Sequence, residues 1–272
     1  MNYSGNHLKK SCIFGGIKTS GMFTLLKKEI DGFFSSLTGY IVIIVFIVAN
    51  SLFMWVFPGE LNVLESGYAN IDTLFIMAPF IFLFLVPALT MKTFAEEKKT
   101  GTLELLLTRP LSDIQVVLAK YLASLVLVLF SLLPCLIYFW SVYILGNPVG
   151  SIDTGGTWGS FIGLFFLAAI YASIGVFASS LTDNQIVAFI IAILISFFLF
   201  MGFESISTLG IFKSVEAFIL NLGINEHYKS MQRGVIDSRD LIYFISVTTL
   251  FVLATKLVIQ SRKWTKTVVN EK

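Results

Sequence analysis

Six apolar stretches constrain this chain more than any other feature. They run about Leu37–Phe57, Leu74–Met91, Val116–Ile144, Trp158–Leu181, Ile186–Met201 and Leu241–Ile259. A bilayer core of about 30 Å is spanned by about 20 apolar residues rising about 1.5 Å each. Every stretch meets that length or nearly so, the fifth being the shortest. Composition agrees: of 272 residues, 56% are hydrophobic and 13% charged, where a soluble domain carries about a quarter charged. A single water-soluble core could not hide so much apolar surface. The chain therefore reads as an all-α membrane protein with six transmembrane helices. Collagen, disorder, coiled coil and nucleic-acid binding are excluded as its main character, and a net charge of +2 is too small to imply a polyanionic partner.

Lys and Arg set the orientation, because loops rich in them stay in the cytoplasm. Fourteen of the 19 fall on one side. They lie before the first span (Lys9, Lys10, Lys18, Lys27, Lys28), between spans two and three (Lys92, Lys98, Lys99, Arg109), and after span six (Lys256, Arg262, Lys263, Lys266, Lys272). The other side holds Lys213, Lys229, Arg233 and Arg239, all in one loop. Both termini are predicted cytoplasmic. Lys120, one turn inside span three, is expected to snorkel back to that side. No Asp, Glu, His or Arg lies well inside a span, which argues against an ion-coupled carrier and for an outside source of energy.

Between the spans, the polar pieces have their own patterns. Residues 1–21 show no periodicity and are expected to be a flexible leader. Over 22–36, Phe23, Leu26, Ile30, Phe33, Phe34 and Leu37 recur at helical spacing opposite Lys27, Lys28 and Asp31, as in an amphipathic helix lying in the interface. Pro134 is placed to bend span three. Residues 202–240 form the largest loop on the outer side, where Phe212, Val215, Phe218, Ile219 and Leu222 predict a helix ended by Gly223, interfacial or re-entrant. His227 there has no companion ligands and reads as structural.

The segment 92–115 is the most informative. Ala95–Lys99 are good helix formers that continue span two, and Gly101 can stop them in a left-handed cap. Thr102 can cap a new helix with Glu104 near its positive end. Leu103, Leu106 and Leu107 share one face, Pro110 ends the turn, and Ser112 with Gln115 forms a capping box for span three. A helix this short needs a groove for its leucines, on a partner or on its own bundle, and the spacing suits either.

No Walker A loop, G-x-S-x-G, H-E-x-x-H or C-x-x-C occurs, so no catalytic site, cofactor site or metal site is expected. Cys12 and Cys135 form no disulfide framework. Small residues in span four, Gly163, Ala168, Ala172, Gly175 and Ser179 among them, suit close helix packing.

The run from Phe94 to Thr108, FAEEKKTGTLELLLT, resembles the coupling segment of ABC-2 type transporter permeases. Ala119-Lys120-Tyr121, Ser180–Gln185 and Gln232–Asp237 are similar to the same family. The likeness spans about Met22 to Trp264, and the stretch before Met22 departs from it. Within the family, the words are most similar to gliding-motility-associated permeases of the GldF type, and NosY-like permeases of copper-enzyme maturation share many of them. The resemblance implies a permease domain over 37–264 with a cytoplasmic tail at 265–272. It implies ATPase-coupling roles for Phe94, Ala95, Glu96, Glu97, Gly101, Thr102, Leu103, Glu104, Leu106 and Leu107. ATP and Mg would sit on a separate cytoplasmic GldA-like ATPase, and the membrane unit would be completed by a second permease chain or a GldG-like protein. Two other readings stay open at this point: a membrane anchor for motility or secretion machinery, and a stand-alone carrier or channel.

Overall fold

The computed structural model describes the backbone of residues 9–108, 110–208 and 216–270, with side chains except at 9–20, 107 and 262–270. In chain order the helices are α1 (Lys9–Ser35), α2 (Leu37–Ser51), α3 (Asp72–Thr90), α4 (Lys92–Lys99), α5 (Thr102–Leu107), α6 (Asp113–Leu132) and α7 (Leu136–Leu145). They continue with α8 (Thr154–Leu181), α9 (Gln185–Phe197), α10 (Phe203–Thr208), α11 (Glu216–Leu220), α12 (Ile224–Gln232) and α13 (Ser238–Asn270). Short wider turns at Leu52–Val56 and Phe198–Gly202 prolong α2 and α9, and a tight turn at Leu133–Cys135 around Pro134 joins α6 to α7. The described residues contain no strand.

Six helical runs are long and apolar enough to cross a membrane: Leu37–Val56, Asp72–Lys99, Asp113–Leu145, Thr154–Leu181, Gln185–Thr208 and Ser238–Ser261. They match the six stretches read from sequence. The fifth is longer than expected because its helix winds on through the Phe198–Gly202 turn. The chain is a multi-pass, all-α membrane protein.

At the centre stands α8, packed against α3, α4, α6, α9, α12 and α13. Its small residues make this crowding feasible. A Cβ on Gly163 would lie 2.6 Å from Met231 Cβ, and one on Gly159 would lie 2.6 Å from the Gly234 carbonyl oxygen. By contrast α2, α9 and α13 turn Ile44, Val48, Ile190, Leu194, Leu250 and Leu253 outward, where a protein in water would be penalised and one in lipid is not.

One expectation needs correcting. The helix α1 begins at Lys9, so residues 9–21 are helical and not a loose leader; residues 1–8 lie outside the described residues. A nucleated helix continues through Gly15, Gly16 and Gly21 at about 1 kcal/mol each, with no proline to stop it. On this helix Leu25 is enclosed while Phe23 is exposed.

Candidate functional site

The helix α3 stops at Thr90 and α4 starts at Lys92, and the first N–H groups of a helix need partners from outside it. Ser179, from the far end of α8, fills the gap. Its Oγ accepts from Phe94 N (2.9 Å) and Ala95 N (3.0 Å) and donates to the Met91 carbonyl oxygen (2.9 Å). One hydroxyl thus uses its full capacity of two acceptor sites and one donor. Close by, Gly175 packs on Thr90 where a Cβ would collide with the Thr90 side chain, and Lys98 Nζ donates to the Ser180 carbonyl oxygen. The segment that leaves span two is therefore latched to α8.

A second tie runs to α6 and α1. Lys120 is 2% exposed; it is enclosed, where snorkelling was expected. Its Nζ donates to Glu97 Oε1 (2.8 Å) on α4, Glu29 Oε1 (3.0 Å) on α1 and the Thr93 carbonyl oxygen (2.9 Å). The Phe94 ring lies 5.2 Å from the ammonium. Glu97 Oε2 and Thr93 Oγ1 are buried without a hydrogen-bond partner, so the knot holds two carboxylates against one ammonium.

Gly101 (φ 72°) ends α4 in the left-handed region as expected, and it also occupies the N-cap position of α5. Thr102 is the first helical residue, its Oγ1 2.9 Å from Thr100 Oγ1, so it is not the cap. Ser112 N donates to Gln115 Oε1 (3.0 Å) at the start of α6, as predicted.

The leucine face is the main correction. Leu103 and Leu106 are 4% and 7% exposed and belong to the chain's own core; the side chain of Leu107 lies outside the described residues. Phe94 and Ala95 are fully enclosed as well. The groove that Leu103 and Leu106 need is supplied by the bundle, and in this structure neither is open to a partner. What faces outward is Thr102, Leu105 and Thr108 at i, i+3, i+6, with Glu104, Gly101 and, on α4, Glu96 beside them. Leu105 is 69% exposed. Sequence reading missed Leu105, Glu29, Lys120 and Ser179. Leu105 alone had a signal, as the odd leucine of Leu105-Leu106-Leu107.

At the opposite end, α12 buries Ile224, Tyr228 and Met231. His227 is structural: Nδ1 lies 2.7 Å from Asp240 Oδ1, Nε2 lies 2.9 Å from the Asn221 carbonyl oxygen, and the ring stacks on Tyr243. Of the helix predicted there, α11 is what the described residues show, with Phe218 and Leu222 exposed; Phe212 and Val215 lie outside the described residues. An open cavity of about 790 Å³ is lined by Asp72, Asp153, Glu226, Lys229 and Arg233 among others. Among the described residues no three His, Cys, Asp or Glu side chains could hold a metal.

Six spans, one of them a central helix rich in small residues, with a short helix projecting between spans two and three, define a permease-type membrane domain. The family model of the ABC-2 family transporter protein matches residues 60–222, which takes in α3 to α11. The chain belongs to that family, as a permease subunit of a transporter whose family works with an ABC ATPase. No curated protein matches the chain.

Proposed function

We propose that this chain is the permease subunit of an ATP-driven ABC-2 exporter linked to gliding motility, of the GldF type. A separate cytoplasmic GldA-like ATPase, carrying ATP and Mg, drives it through α5. A second permease chain or a GldG-like protein completes the membrane unit, and both termini face the cytoplasm of the inner membrane. The observation that carries this reading is the outward face of α5. An exposed leucine stands at the tip of a segment whose other side is latched to α8 and α6. A projecting apolar side chain on a firmly held base suits a lever.

Leu105 tests it. Burying a leucine in a partner's groove contributes about 1.5–3 kcal/mol, and about 1.4 kcal/mol is tenfold in affinity. Leu105→Asp is expected to weaken binding of the GldA-like ATPase at least tenfold in a titration with the nanodisc-embedded chain, leaving the chain's melting temperature unchanged. Equal affinity would remove the lever reading.

A further inference from the structure

Backbone packing lays α1 along α6 and α4 along α8. A single side chain, Lys120, ties α4 across to α6 and α1 by hydrogen bonds. We propose that Lys120 is a positioning residue that makes α6 and α1 follow any displacement of the α4–α5 segment; this rests on the coupling reading above.

Its three ammonium protons go to three acceptors on two helices besides its own: Glu97 and the Thr93 carbonyl on α4, and Glu29 on α1. All three donors are used. The group is screened from water, so its Coulomb attraction is not diluted by a high dielectric. Apolar contacts are non-directional and let helices slide; drawing one carboxylate off a buried ammonium leaves unpaired charge, so these elements resist parting. The excess carboxylate adds to this. Without Lys120, Glu29 and Glu97 repel, and α1 is pushed from α4. Ser179 is a separate tie to α8, so motion of α4 divides into two branches and Lys120 governs the second.

The test uses the assembled complex with its ATPase in nanodiscs, with Cys12 and Cys135 replaced by serine. Spin labels at exposed positions report distances to Leu253 on α13: Thr100 as input, Phe23 on α1 and Leu129 on α6 as outputs. On trapping ATP, all three distances are expected to change in the otherwise native chain. In Lys120→Met, the Thr100 change persists and the Phe23 and Leu129 changes fall at least threefold. The swap E97K/K120E keeps two carboxylates and one ammonium in the knot and is expected to restore at least half of both. Full-size output changes in Lys120→Met overturn the proposal, as does a swap variant that melts like the native chain yet transmits nothing. Should Lys120→Met not accumulate, Glu29→Gln is expected to reduce the Phe23 change while sparing Leu129, and an undiminished Phe23 change overturns the proposal. A native chain in which Thr100 stays still overturns the coupling reading itself, and the premise with it.

Discussion

A single hydroxyl, that of Ser179, holds the junction between span two and the projecting segment. Replacing it with Ala removes the acceptor for the Phe94 and Ala95 N–H groups inside a dry joint. Each orphaned donor costs about 1–3 kcal/mol, so Ser179→Ala is expected to destabilise the chain by about 2–4 kcal/mol. Hydrogen exchange should quicken at the amides of Phe94 and Ala95 first; unchanged protection there would deny Ser179 its role. Neither Ser179 nor Lys120 was legible from sequence. Ser179 looks like one more small packing residue in Ala178-Ser179-Ser180, and the N–H groups it accepts from lie 84 and 85 residues away. Lys120 is near a span end, where snorkelling is the ordinary fate of lysine; only the fold brings Glu29 and Glu97 to it.

At the scale of elements, periodicity marks which residues share a face and is silent about what covers that face. Leu103 and Leu106 were correctly placed together, and the bundle, not a partner, proved to cover them. The turn at Gly101, the break at Pro134 and the six spans were all legible, because each depends on local chemistry. The helix α3 shows the opposite case. Pro79 cannot donate to the Phe75 carbonyl oxygen, and Tyr228 of α12 does so from across the chain at 2.8 Å. Tyr228→Phe is expected to cost about 1–2 kcal/mol near neutral pH. Burial raises the folded phenol well above its ordinary value of 10.0. The protonated phenol's contribution is therefore complete below pH 10 and declines as pH rises beyond it, by up to about 1.4 kcal/mol per pH unit. Melting curves of native and Tyr228→Phe chains should converge and cross above pH 10. A gap that stays constant with pH would show that the phenol is not held neutral.

For the whole molecule, orientation follows from how charge and aromatic residues are divided between its ends. The end bearing α4 and α5 gathers Lys27, Lys28, Lys92, Lys98 and Lys99, while Trp55, Trp140 and Trp158 lie at the other, beside loops that carry no lysine or arginine before residue 158. Trp rings settle at a membrane–water interface and favour either side, so they set depth. The lysines break the tie. On that rule the α5 end is expected to stay on the cytoplasmic side during insertion, where a soluble ATPase could reach Leu105. This gives an expectation that needs no partner and no substrate. In a chain freed of Cys12 and Cys135, a single cysteine at Thr108 should resist a membrane-impermeant maleimide in spheroplasts and react after permeabilisation. One at Ser151 should react without permeabilisation. Both positions are exposed in the fold, so unequal reactivity reports sidedness and not burial. The reverse pattern would put α5 outside the cell, beyond any nucleotide, and the outward leucine would then need an extracytoplasmic partner.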